Sequence, residues 1–210
     1  MSCEHDIIIA MQRGFTLIEL LISVAIFVIM TSLVVAKYGN FNTSTLLTDT
    51  AYDVALALRT AQTYGLSVKN ASAVTANFSV SYGVDFRTGA GGSCGGQTST
   101  SNATNMVLFA DTATPNNICD PNDTLVDSYL LTRGAVVSGL CAGTGSSCTV
   151  DGSVSQLDVT YLRPNPEATI CINGSCGSRY TYAEVVIKGT DGSTRTIAVY
   201  ENGQISIINQ

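Results

Sequence analysis

From Phe15 to Ala36 every residue is apolar or a small hydroxyl, with the single exception of Glu19. Coiled as a helix, with a rise of about 1.5 Å per residue, a run of this length reaches across a hydrocarbon core of about 30 Å. In water such a rod needs a cover, so the run predicts one membrane span at 15–36. A carboxylate inside that span costs roughly 2.5 to 3.5 kcal/mol on insertion scales, so Glu19 calls for a partner.

An ordinary secretory signal loses its apolar core on cleavage, because the cut falls on the far side of that core. Here Gly14 stands before the apolar run, and a cut after it would discard 1–14 while leaving the helix attached. The stretch Arg13, Gly14, Phe15, Thr16, Leu17, Ile18, Glu19, Leu20 resembles the processing site of type IV prepilins and pseudopilins. That resemblance implies leader cleavage between Gly14 and Phe15 by a prepilin peptidase and N-methylation of the new amine on Phe15. It implies filament assembly through Phe15 and Glu19, the carboxylate neutralising the Phe15 amine of an adjacent subunit among packed helices. The implied partners are other pilin subunits in a helical homo- or hetero-polymer, a membrane assembly platform and, before assembly, the lipid bilayer. The implied location is the cytoplasmic membrane, crossed once, and then an extracellular pilus on the cell surface. A second reading of Glu19 needs no partner: one turn from a helix start, the dipole favours an anion and water is near. In the leader, Glu4 and Asp6 offset Arg13, so the positive-inside signal is weak and orientation rests on the motif.

The segment 37–44 (KYGNFNTS) is made of poor helix formers and predicts a loosened joint or a break. From Leu46 the helical period returns, with Leu47, Ala51, Val54, Ala55, Leu58, Ala61 and Gly65 on one stripe. The second half, 37–66, is therefore expected to be amphipathic and to pack on a sheet. Beyond Leu66 strand-like runs are expected at Ala76 to Phe86, Asn105 to Ala110, Tyr129 to Val137, Val154 to Leu162, Tyr180 to Lys188, Arg195 to Tyr200 and Gln204 to Ile208. Asp191-Gly192 and Asn202-Gly203 mark hairpins joining the last three strands into a meander. The glycine-rich segment Thr88 to Thr104 reads as an exposed loop, pinned at Cys94. The expectation is an α+β fold, with a head at 67–210 in which one antiparallel sheet lies on the second half of the helix. The pilin resemblance implies the same arrangement. The run Ser193 to Val199 with Gly203-Gln204-Ile205 is similar to the tail of minor pseudopilins. Major pilins often close a C-terminal loop with a disulfide, whereas the last cysteine here is Cys176, so major and minor roles both stay open.

The net charge of -6 and the absence of any basic block argue against nucleic acid as a partner. Removal of Cys3 with the leader would leave Cys94, Cys119, Cys141, Cys148, Cys171 and Cys176, an even set suited to disulfides in an exported domain. Local pairing of Cys141 with Cys148 and of Cys171 with Cys176 is the simplest choice, but six cysteines allow about 15 connectivities. A four-thiolate zinc site is the competing reading. Asp111 with Asp120, Asn122, Asp123 and Asp127 forms an oxygen-rich cluster around Cys119 suited to calcium; no other cofactor is expected. Loss of the leader would also remove His5, the sole histidine, and oxidised cysteines are not nucleophiles, so no enzyme is expected. Asp158 and Glu167 read as surface carboxylates. The function expected is a structural filament subunit; the alternative is a minor or tip pilin that binds a surface, DNA or a secreted substrate.

Overall fold

The computed structural model describes residues 14–67, 69–71, 79–89, 91–95, 97–176 and 179–208. The chain divides into two units, Met1–Phe41 and Asn42–Gln210. One helix, α1 (Leu17–Leu66), begins in the first unit and ends in the second. Its helical backbone includes 37–44, so the predicted break is absent. Glycine and asparagine each cost up to about 1 kcal/mol in a helix, but extending a formed helix adds one bond per residue and overrides a few weak positions.

In the second unit, α1 buries Leu47, Ala51, Val54, Ala55, Leu58 and Ala61 as the period predicts, together with Thr50 and Ala57. Thr50 belongs inside because its hydroxyl donates to the Leu46 carbonyl at 2.9 Å. The strands are β1 (Tyr82–Arg87), β2 (Gly92–Cys94), β3 (Gln97–Ser101), β4 (Asn105–Ala110), β5 (Thr124–Leu130), β6 (Val136–Gly143), β7 (Gln156–Tyr161), β8 (Ala168–Ile172), β9 (Tyr182–Lys188), β10 (Thr194–Tyr200) and β11 (Ile205–Ile208).

They form two main sheets, ordered β5-β4-β1-β7-β8 and β11-β10-β9-β6, and a β2-β3 hairpin, where a single sheet was expected. The meander β9-β10-β11 is present, with Gly192 (φ 85°) and Gly203 (φ 84°) in its turns. β6 joins it by pairing with β9, while β1 pairs with β4 and β7 in the other sheet. Period-two alternation specifies a strand's faces and not its neighbour, which is why one sheet and two were indistinguishable in sequence.

The run Tyr129 to Val137 is not one strand. β5 ends at Leu130, a 3-10 turn covers Thr132–Gly134, and β6 starts at Val136. Gly134, at φ 79°, supplies the left-handed residue of that turn. The predicted strand at Ala76 to Phe86 shrinks to β1, and 76–78 lie outside the described residues. β8 was not expected. Nor were β2 and β3, which replace the predicted exposed loop at Thr88 to Thr104 and bury Cys94.

One core unites the α1 stripe with the inner faces of both sheets, including Val84 and Phe86 of β1, Leu157 and Val159 of β7, Val185 and Ile187 of β9, and Ile197 and Val199 of β10. The opposite face of the five-stranded sheet carries a second cluster, Val107 and Phe109 packed on Cys94 and Cys119 with Leu125.

The helix closes on the first sheet at Gly65. A Cβ built there would lie 2.3 Å from the Tyr161 carbonyl oxygen, and the Arg163 amide donates to the Gly65 carbonyl at 3.1 Å. Helix propensity alone favours alanine over glycine by about 1 kcal/mol. The opposite outcome is expected here: Gly65→Ala should lose about 3 kcal/mol of head stability, because the clash is with backbone that cannot turn aside. Denaturant unfolding of the two proteins measures this, and equal or greater stability of the variant would contradict the packing described.

Candidate functional site

The N-terminal segment is built from a cap outward. Thr16 precedes the first helical residue, and its Oγ1 accepts the Glu19 amide at 3.3 Å while donating to Glu19 Oε2 at 3.5 Å. The Leu20 amide donates to the Thr16 carbonyl at 3.1 Å. Thr16-Leu17-Ile18-Glu19 thus has the spacing of a capping box, in which a hydroxyl at the helix start serves the amide three residues on. In the sequence Thr16 is part of the processing motif, and the S/T-x-x-E signal before an apolar run carries its second role. The Glu19 carboxylate stands at the positive end of α1, exposed to solvent.

Leu17–Ala36 is long and apolar enough to cross a membrane, and none of it is buried. Phe15 (79 %), Leu17 (82 %) and Phe27 (69 %) are among the most exposed large apolar side chains. Two of the three hydroxyls in Leu17–Ala36 donate to the helix itself: Ser23 to the Glu19 carbonyl at 2.8 Å and Thr31 to the Phe27 carbonyl at 2.9 Å. In lipid this matters, since no water is there to take the bond. A Cβ built on Gly14 meets nothing within 4 Å among the described residues, so none of them demands glycine there.

The six later cysteines form Cys94–Cys119, Cys141–Cys148 and Cys171–Cys176, with Cα atoms 5.3, 5.8 and 4.4 Å apart. These separations are ordinary for disulfides. The four-thiolate zinc reading therefore loses its ligands. Cys141, Cys148 and Glu184 do approach one another within 4.8 Å, but the two sulfurs are bonded together and the Glu184 carboxylate accepts the Tyr182 hydroxyl.

The oxygen-rich cluster around Cys119 is engaged in turn formation. Asp111 Oδ2 accepts the amides of Asn116 at 3.0 Å and Asn117 at 2.7 Å. Asp123 accepts those of Thr112 at 2.9 Å, Ala113 at 3.0 Å and Asp120 at 2.8 Å. Burial pushes both carboxyls above the usual range, opposed by these backbone donors. Asp120 accepts the Asn116 side-chain amide at 2.9 Å. Asn122 is exposed, and Asp127 lies on β5 opposite Leu108, capping the Ser128 amide. Among the described residues no three of these aspartates bring carboxylate oxygens within 4.8 Å of one another.

Asp158 is not a surface residue. It is completely buried, directly opposite Asp85 across β1 and β7, whereas Glu167 is exposed as expected. Asp158 lies on the face of β7 away from the core that holds Leu157 and Val159. What the period could not show is that the Cys94–Cys119 segment covers that face.

Residues 9–35 match the family model described as the prokaryotic N-terminal methylation motif. No curated protein and no solved structure matches the chain. The motif falls on the capped, uncovered apolar helix that begins just after Gly14, so the N-terminal segment is similar to that of type IV pilin-like precursors.

Proposed function

We infer that the chain is a structural subunit of a type IV pilus or a related type II secretion-like filament. The motif implies processing by a prepilin peptidase and association with other pilin subunits. In this reading, cleavage after Gly14 frees the Phe15 amine, and the Phe15 to Ala36 helices of many copies pack into a filament core. Glu19 supplies the countercharge to a neighbour's amine, and the bilayer holds the helix until assembly. The observation that carries the reading is a fully uncovered apolar span, Leu17–Ala36, with a glycine three positions before it, Gly14, that no described residue requires. A glycine without a conformational reason is accounted for by an outside enzyme that must fit the backbone into its site.

The test is mass analysis of the N-terminal peptide from surface filaments sheared off the producing cell. A peptide beginning at methylated Phe15, in the bulk component, is the expected result. A chain that keeps Met1, or that has shed the apolar helix, overturns the reading. Trace abundance in the same filaments points to a minor or tip subunit with a binding role.

A further inference from the structure

The five-stranded sheet ends at β8, which has β7 on one side and no strand on the other. Main chain closes that open side at both ends. The Ala168 amide donates to the Glu201 carbonyl at 2.7 Å, while the Ile172 amide donates to the Ser175 carbonyl at 3.0 Å and the Ile172 carbonyl accepts the Ser175 amide at 2.9 Å. Successive residues of a strand turn their amides to opposite sides, so Ile170, between Ala168 and Ile172, faces away from β7 as they do. Among the described residues no main-chain group answers the Ile170 amide or carbonyl on that side.

A cavity of about 360 Å³ stands at this gap. Ala168 and Ile170 both line it while their side chains sit in the core, so what they present to it is backbone. Thr169, exposed on the opposite face of the strand, lines it as well. The rim carries Tyr180, Arg179, Glu201 and Glu167. Arg179 Nε donates to Glu201 Oε1 at 2.6 Å, which engages the guanidinium with one carboxylate. Glu167, exposed, is a second carboxylate beside that single cation.

We propose that this notch binds a short, extended, basic peptide segment of another protein, laid beside β8 as a partial extra strand. An extended chain offers the amide and carbonyl of one residue on one side, the reciprocal pair that Ile170 lacks. The closed ends leave room for one such pair, so the bound stretch is short and the rim sets its composition. Residues on either side of the paired one point to the face that carries Thr169, where a lysine or arginine meets Glu167. The occupant is not a second copy, because a chain of net charge -6 brings an acidic surface to an acidic rim. The notch belongs to the second unit and owes nothing to the Phe15 to Ala36 helix, so its failure would leave the filament reading standing, and the converse holds too.

The probe is the blocked tripeptide acetyl-Lys-Val-Lys-amide, titrated into the full mature chain in detergent while backbone amide resonances and hydrogen exchange are followed. A saturable shift of the Ile170 amide, with slowed exchange there, is the expected result. The same probe N-methylated at its valine lacks the N–H that meets the Ile170 carbonyl and should bind about tenfold more weakly. Glu167→Gln, at an exposed position, should weaken the unmethylated probe about threefold. Acetyl-Glu-Val-Glu-amide should bind the wild type less well than the lysine probe does. No shift at Ile170, or equal binding of the methylated probe, overturns the added strand. Equal binding of the lysine and glutamate probes, or no effect of Glu167→Gln, overturns the basic partner. Protection of the Ile170 amide that rises with protein concentration in the absence of peptide would put a second copy in the notch and overturn the assignment to another protein.

Discussion

Glu19→Leu is expected to leave leader removal unchanged and to reduce filament incorporation by about a hundredfold or more. The Glu19 side chain is exposed in the isolated chain and meets the Thr16 hydroxyl, so the head does not depend on it. Leucine also enters a bilayer more readily than glutamate, so membrane insertion should not suffer. What the variant removes is the countercharge to a buried amine. Breaking a buried ion pair by deleting one partner costs about 3 to 5 kcal/mol, enough to suppress assembly by roughly two to three and a half orders of magnitude. Glu19→Gln separates this role from capping: it keeps an acceptor for Thr16 and loses only the charge. Capping and the helix dipole are together worth about 1 kcal/mol, so a purely local Glu19 would let the glutamine variant assemble nearly as well as wild type. Filament yield measured beside the N-terminal peptide mass gives both readouts. Normal yield from Glu19→Leu would end the pairing argument while leaving the processing motif intact.

The second large effect concerns the Cys94–Cys119 bridge. Replacing both cysteines by alanine is expected to cost the head about 3.5 kcal/mol, and to lower its midpoint of thermal unfolding by roughly 10 °C, given a loop of 25 residues. Alanine is the appropriate replacement because both cysteines are buried, and serine would add the cost of a buried hydroxyl. The same loop-entropy argument gives only about 2 kcal/mol for Cys171–Cys176, whose separation is 5. The ranking is the sharper test, since the Cys94–Cys119 segment also covers Asp85 and Asp158 and its release would wet both. Thermal and denaturant unfolding of the two double variants measures it. Equal losses would mean that the longer loop adds nothing.

Much of the candidate site was legible because it is contiguous. Gly14, Phe15 and Glu19 lie within six positions of one another in the chain, and their meaning depends on order along it. The disulfide pairing was legible as the simplest of many choices, but only the sheet positions of Cys94, Cys141 and Cys171 select it. The Asp158 environment was not legible at all. Its polar neighbour Asp85 is 73 positions away, and the cover comes from a third segment that read as loop.

By itself the sequence determined the uncovered helix, its processing motif, the inward stripe from Leu47 to Gly65 and the closing meander of β9 to β11. Each is a local pattern, set by periods of 3.6 or 2 or by residues in adjacent positions. Only the tertiary structure decided that β6 leaves its neighbours to pair with β9, that Gly65 must stay glycine, and that two acids share a dry face. Those outcomes depend on which surfaces meet, and contacts between distant segments leave no period in the chain that makes them.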